Sequence, residues 1–600
     1  MMRRTSYYSS NSPRGTLSCL SSTARAASVC NFMALFHSQS SNPTTPRETH
    51  IGNRPLKSRV SDVENASKVF DEMLQRRPLP SVVRFNQLLG QLAKLKHYSA
   101  VLSLNRQMGL IGIASDVYTL NIIINCYCHL NRMGFGLSVL GQFFKLGLQP
   151  SVTTFTTLIH GFVLHNRVAE AATLFSKMVG RGHCQPTVFT FNTLVKGFCM
   201  IGNNRAAIQL LGKMEERGCE PDIVSYNTVI DSHCKDILVD QALNLFTEMI
   251  TRGIAPDVVT YTSLIQGVCN LGQWKEAKRL LNEMVSKNIF PDVRTFTVLV
   301  DALCKEGMIV EAKSVVEMMI QRHIEPDIIT YNSLMDGYCL RGEMDEAKQV
   351  FDLMVSKGSM VNVRSCNILI NGFCKHKKID EANKVFQEMR CMGLVPNTVT
   401  FTTLIDGFCK VGRIKDAQKL FCEMQGCGQL PNVNTYAVIL DGLCNNQQLS
   451  KALELLRELE SNKWELNIVI YTIIIDGLCK AGEMVSAIDV FSGLSSKGVQ
   501  PNVRTYTIMI SGFCKRGLLS EAENLLRGME EKGCSPNDCT YNTIIRGFIN
   551  NNETSRATRL IQEMLERGFS ADASTMELIV DLLSKDIVDP ALLALLKDSV

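Results

Sequence analysis

Apolar residues recur along this chain in pairs of short stripes, and the pair returns every 35 residues. In residues 398–432, Phe401, Leu404, Ile405, Phe408 and Cys409 stand at i, i+3, i+4, i+7 and i+8, one face of an amphipathic helix. Val411 and Gly412 interrupt that stripe. Ala417, Leu420, Phe421 and Met424 then form a second stripe with the same period. Gly428 and Pro431 end the unit, where proline's fixed φ and missing N–H suit a connector. Each unit therefore predicts two antiparallel helices. Neither can bury its stripe alone, so neighbouring units must stack.

Fourteen units cover residues 82–572, starting at Val82, Val117, Val152, Val188, Ile223, Val258, Val293, Ile328, Val363, Thr398, Val433, Ile468, Val503 and Asp538. Thirteen are 35 residues long, and the third has 36, its extra residue lying in 180–187. Residues 62–81 read as the second half of an earlier unit, and 573–600 as a truncated repeat that caps the last one. A period of this length signals a solenoid. The expected fold class is all-α, a solenoid of stacked helix pairs, in place of the roughly four globular domains that this length would otherwise suggest.

Ten cysteines keep one register, from Cys199 to Cys514 in steps of 35, on the buried stripe of the first helix. Units without cysteine there have Ala93, Val163 or Ile549. Those residues could replace a packing side chain but not a metal ligand or nucleophile. No Cys-x-x-Cys pair occurs, and thiols one repeat apart are too distant for a disulfide. The cysteines are read as packing residues. Twenty-two of them without disulfide logic point to a reducing compartment, and no metal or cofactor is expected.

No run approaches the ~18–20 apolar residues needed to span a bilayer, so membrane insertion is not expected. Residues 1–47 hold five arginines, eleven serines and no acidic residue. That is the composition of an organelle transit peptide, with a merely disordered tail as the alternative. The mitochondrion (its matrix) is the expected destination, and the chloroplast the runner-up. This leader explains most of the charge: residues 1–50 carry five arginines against Glu48, or +4 of the chain's +5. Bulk charge thus gives no nucleic-acid signal. Any such binding must come from residues gathered on one face.

The face of the first helix away from the stripe offers a candidate. The fifth residue of each unit is Asn86, Asn121, Asn192, Asn227, Asn332, Asn367 or Asn542, or else Thr156, Thr262, Thr297, Thr402, Thr472 or Thr507; only Ala437 departs. The last residue is Asp116, Asp222, Asp257, Asp292, Asp327 or Asp572, or Asn362, Asn397, Asn432, Asn467, Asn502 or Asn537, with Ser151 and Thr187 otherwise. The thirteenth is lysine in seven units: Lys94, Lys235, Lys305, Lys375, Lys410, Lys480 and Lys515. Helix and turn capping explains Asp or Asn at the last position. It explains poorly an Asn/Thr choice inside a helix, where neither is a strong helix former. A polar pair varying among a few hydrogen-bonding types on a fixed scaffold suits reading bases, one per unit, with lysines beside the phosphates.

The 35-residue unit, its V-x-T-Y-N/T-x-L-I opening, the E-A-x-x-L/V-F-x-E-M second helix and the G-x-x-P-D/N ending resemble the pentatricopeptide repeat family, P class, over residues 82–572. The G-F/L-C-K phrases and the leader further resemble its restorer-of-fertility-like subgroup of land plants. The resemblance implies a right-handed superhelix that binds single-stranded organellar RNA, 5′ end toward the N-terminus. It implies that the fifth and last residues choose a base and the second sandwiches it. Asn with Asp implies U, Thr with Asp G, Thr with Asn A, Asn121 with Ser151 C, and Asn with Asn a pyrimidine. Thr156/Thr187 and Ala437/Asn467 leave their bases open, and the implied target is 5′-UCNUUGGYYANAAU-3′. The sandwiching residues carried over are Val83, Val224, Val259, Ile329, Val399 and Val469, while Arg294, Arg364, Asn434 and Arg504 depart from the apolar pattern. Such a factor is not itself an enzyme. It would direct processing or cleavage, stability or translation of a transcript, with a recruited nuclease or other protein partner.

Rival readings have less in the sequence. A deaminase needs His-x-Glu with a later Pro-Cys-x-x-Cys, but His323-Ile324-Glu325 falls in a connector and no Cys-x-x-Cys follows. A metal nuclease needs clustered carboxylates, whereas Asp301, Asp336, Asp406, Asp441 and Asp476 recur once per repeat. A protein-binding scaffold of the tetratricopeptide type would have a 34-residue unit and a Trp-Leu-Gly-Tyr signature; Trp274 and Trp464 sit at unrelated places in their units.

Overall fold

The computed structural model describes residues 63–180, 184–358 and 361–584. The expected leader (1–47) and residues 585–600 lie outside them. Among the described residues there are thirty α-helices and no strand. Each unit forms the two helices its stripes predict, as in Thr398–Lys410 followed by Ile414–Gly426. The chain divides into two compact units, one up to Ser333 and one from Leu334.

Within each, the same packing repeats. Ile223–Lys235 packs on its own second helix, Val239–Thr251, and on the next first helix, Val258–Asn270. In the other, Thr398–Lys410 packs on Ile414–Gly426 and on Val433–Asn445. Second helices touch the following repeat through edge-to-face rings, with centroids 5.5 Å apart for Phe246–Tyr261 and for Phe386–Phe401. The helix Val63–Gln75 makes the same kind of contact, Phe70 against Phe85. In the closing helix Ala573–Ser584, Ile579 is buried, whereas Met576 and Val580 of the same stripe stay exposed.

The register cysteines have a partner that the pattern alone did not reveal. A Cβ added to Gly267 would stand 2.7 Å from Cys234 Sγ, and one on Gly512 2.7 Å from Cys479 Sγ. The tenth residue of one first helix must be small because the twelfth residue of the preceding one occupies its flank. Burial pushes the thiols of Cys234, Cys374 and Cys409 up to about 12, so they are neutral packing groups at any ordinary pH.

The link between the two helices of a unit requires left-handed backbone at the fifteenth residue. Gly412 takes φ 78° there without strain, but in the fifth unit Ile237 is held at φ 64°.

Candidate nucleic-acid interface

The last residue of a unit is also the N-cap of the next first helix. Asp222 Oδ1 accepts from the Ser225 amide at 2.9 Å and its hydroxyl at 2.8 Å. Asp257 does the same with Thr260, at 2.9 and 3.0 Å, and Asn397 with Thr400, at 3.0 Å for both bonds. The hydroxyl-bearing residue accepts in return from the cap's own N–H, closing a capping box. Capping at this position is thus real.

The same atoms hold the fifth residue. Asn86 donates through Nδ2 to Asp116 at 2.9 Å, Asn192 to Asp222 at 2.9 Å and Asn227 to Asp257 at 3.0 Å. Each of these asparagines accepts at Oδ1 from the third residue of the next unit, as Asn227 does from the Thr260 hydroxyl at 2.6 Å. Threonine at position five makes the equivalent bond: Thr262 to Thr295 at 2.7 Å, Thr402 to Thr435 at 2.8 Å, Thr472 to Thr505 and Thr507 to Thr540 at 2.9 Å. The fifth residue therefore does not lie on an open face. Asn86 is 3 % exposed and Thr262 2 %, while Asn121, Asn192, Asn227, Asn367, Thr402 and Thr507 are half-buried, because consecutive first helices close over part of each.

Burial alone would raise the Asp222 carboxyl, but hydrogen bonds from Asn192 and from the Ser225 amide and hydroxyl outweigh it and hold it below its ordinary value. It is an anion at neutral pH. In Asp222 and Asp257 all of these bonds fall on one oxygen, Oδ1, whereas in Asp116 the Asn86 amide reaches both, Oδ1 at 2.9 Å and Oδ2 at 3.1 Å. In Asp222 and Asp257 the second carboxylate oxygen is uncommitted. In Asn432, Asn502 and Asn537 the cap likewise consumes Oδ1 and leaves the amide NH2. Asp222 and Asp257 therefore offer an acceptor, and Asn432, Asn502 and Asn537 offer a donor.

The irregular pairs keep the scaffold with fewer groups. Asn121 accepts from Thr154 at 2.8 Å beside the Ser151 cap, and Thr156 meets Thr190 at 2.8 Å beside Thr187. Ala437 brings no polar atom. Val83, Val224, Val259, Ile329, Val399 and Val469 at the second position are exposed apolar side chains, from 44 % to 56 % open. Tyr118 (64 %) and Phe189 (70 %) occupy the same position in the second and fourth units. The sequence reading did not name these two, although their place in the unit was the signal.

The lysines fall into two groups. Lys235, Lys305, Lys410 and Lys480 pair with Asp231, Asp301, Asp406 and Asp476 one turn earlier, at 2.5 to 2.7 Å. Lys94, Lys375 and Lys515 have Gly90, Asn371 and Ser511 in that place and are exposed. Burial pushes the Asp441 carboxyl up, with Lys480 opposing and Asp406 and Asp476 reinforcing. Among the described residues no group of three or more His, Cys, Asp or Glu side chains could hold a metal ion.

The sequence model described as the PPR repeat family matches overlapping stretches from 150–200 to 396–445, and again from 466–515 to 538–585. The model described as PPR repeat matches 118–148 and 434–463. A putative pentatricopeptide repeat-containing protein of Arabidopsis thaliana, At1g12700, mitochondrial, is 47 % identical over 124 residues, which is 20 % of this chain and 21 % of that one. Another from the same plant, At5g16640, mitochondrial, is 39 % identical over 141 residues, 24 % of this chain and 26 % of the relative. These alignments span about a quarter or less of the relatives' length. The crystal structure of the pentatricopeptide repeat protein PPR10 from maize superposes with a TM-score of 0.50 at 22 % identity, covering 87 % of this chain and 85 % of that one.

Proposed function

Since this chain belongs to the pentatricopeptide repeat family, we propose that it binds single-stranded RNA by sequence, one base per repeat, and acts on a mitochondrial transcript. The observation that carries this reading is the uncommitted atom of the last residue. Uracil and guanine present a ring N–H at the Watson–Crick edge, which an aspartate oxygen can accept. Adenine and cytosine present a ring nitrogen acceptor there, which an asparagine amide can meet. The fifth residue then sets size: threonine is shorter than asparagine and leaves more room for a purine. At Asn86, Asn192 and Asn227, as at Thr262, Thr402, Thr472 and Thr507, the fifth residue meets the third residue of the next unit, so there the scaffold tolerates either type and the choice is free to carry information; at Asn332 the same oxygen is buried without a partner.

The exposed second-position side chains supply apolar surface for bases to lie against, with Tyr118 and Phe189 as stacking platforms. Lys94, Lys375 and Lys515 supply cations for phosphates. Lys235, Lys305, Lys410 and Lys480 are engaged by the aspartate one turn earlier, and Lys480 also by Asn445 Oδ1 at 3.0 Å, so a phosphate would compete with those partners for them. The target on this reading is 5′-UCNUUGGYYANAAU-3′. Mitochondrial action is supported by the arginine- and serine-rich leader and by the names of the relatives. The chain itself makes and breaks no bond on this reading; it places a transcript where a recruited protein processes, protects or translates it, as restorer-like factors would.

The test is a titration of residues 51–600 with the fourteen-nucleotide RNA, with the same RNA carrying G at the fifth base, and of Asn227→Thr with both. The expected result is preference for U by the wild type and for G by the variant. Equal binding of both RNAs by both proteins would reduce the Asn/Thr choice to helix chemistry and favour a protein-binding scaffold.

A further inference from the structure

We propose that Arg546 closes the reading pair of the fourteenth repeat, so that sequence reading ends with the thirteenth; the inference rests on the base-reading function above. Two repeats with the same residue pair are wired differently. In the fifth, Asn227 donates to Asp257 Oδ1, and the other carboxylate oxygen is uncommitted. In the fourteenth, Asn542 Nδ2 donates to the Asp538 carbonyl at 2.8 Å and the Ser570 carbonyl at 3.1 Å, while its Oδ1 accepts from the Asp572 amide at 3.0 Å. Asn542 is 2 % exposed with both polar ends satisfied by backbone.

Asp572 Oδ1 caps the closing helix through the Thr575 amide at 2.8 Å. Its Oδ2, the atom left free in the fifth repeat, accepts from Arg546 Nη1 at 2.6 Å, and the same nitrogen lies 3.2 Å from Thr575 Oγ1. Arg546 stands at the ninth position of its unit, where Asp231, Asp301, Asp406 and Asp476 stand in other repeats. A uracil N3–H would have to displace a guanidinium from a short, charge-assisted bond. The acceptor is both occupied and neutralised. Arg546 is thus a specificity-determining residue, because it withdraws one repeat from the code that its Asn/Asp pair spells.

The experiment titrates the full chain with 5′-UCAUUGGCCAAAAU-3′, in which open positions carry A and pyrimidine positions C. The same RNA is made with each other base at position fourteen, and separately with G at position five. Wild type is expected to bind the position-fourteen series within about 2-fold, while G at five weakens binding about 10-fold, as one lost base-edge pair should. Arg546→Ser, which installs the residue found at this place in the thirteenth unit (Ser511), should gain about a 5-fold preference for U at fourteen. Arg546→Lys, which keeps a cation there, should stay indifferent. Retained discrimination at five in each variant reports an intact fold. A wild-type preference for U at fourteen overturns the proposal, and so does continued indifference of Arg546→Ser. Indifference at five in the wild type overturns the base-reading function itself, and this inference with it.

Discussion

At the level of single residues, a cysteine that recurs every 35 positions owes its place to a glycine on its neighbour. Cys234 fills the space that Gly267 leaves, and a Cβ at Gly267 would stand 2.7 Å from the sulfur. Gly267→Ala should therefore cost about 1–3 kcal/mol by overpacking, seen as a lowered denaturation midpoint. Cys234→Ala in the same chain should recover most of that loss; an equal loss in the double variant would show that the two residues do not share the space. The cysteine's role as packing was legible from Ala93, Val163 and Ile549 in its register. Its glycine partner was not, because two residues 33 apart meet only when first helices stack. The Asn/Thr restriction at position five was legible too, but its burial was not. A helical wheel shows one helix's faces and cannot show that the next helix covers them.

Among the elements, helix existence and boundaries were the most legible feature. The 3.6 period and the Gly and Pro breaks mark each pair, and the structure ends its helices at those breaks. The connector hides a local conflict. At the fifteenth residue the chain demands positive φ, and the fifth unit meets this demand with a β-branched side chain, Ile237. Left-handed backbone costs such a residue about 1–2 kcal/mol. Since Ile237 is 63 % exposed, little packing offsets that cost. Ile237→Gly should raise the unfolding free energy by about 1 kcal/mol in urea denaturation at constant m; an unchanged or lowered midpoint would mean that the isoleucine's contacts outweigh its strain. The same 35-residue comparison that finds the repeat would have flagged this site, because glycine holds the place in the tenth unit (Gly412).

For the molecule as a whole, many small identical terms add. Burial raises the thiols of Cys126, Cys128, Cys234, Cys269, Cys339, Cys374, Cys409, Cys444 and Cys514 from 9.0 to about 12. The folded chain keeps these protons where the unfolded chain releases them. Above pH 9 the unfolded state binds fewer protons, so stability must fall as pH rises from about 9 toward 12. Burial raises the Tyr226 and Tyr541 phenols as well, and their carboxylate neighbours Glu248 and Glu563 add to the effect, so these tyrosines act in the same direction at the upper end. Denaturation midpoints taken at pH 7, 9 and 10.5 should be level over the first step and drop over the second. A level profile through pH 10.5 would contradict burial of the register cysteines.

The sequence by itself determined the architecture, because a repeating stripe that cannot be buried within one unit has stacking as its only outlet, and identical units stack identically. It also determined which positions vary within a narrow polar set. Tertiary structure alone decided what those positions offer a ligand. Asn227/Asp257 and Asn542/Asp572 are the same pair of letters, yet one leaves a carboxylate oxygen uncommitted and the other spends it on Arg546. The difference lies in which donors lie within hydrogen-bond reach of one oxygen, a property of packed neighbours and not of the pair itself.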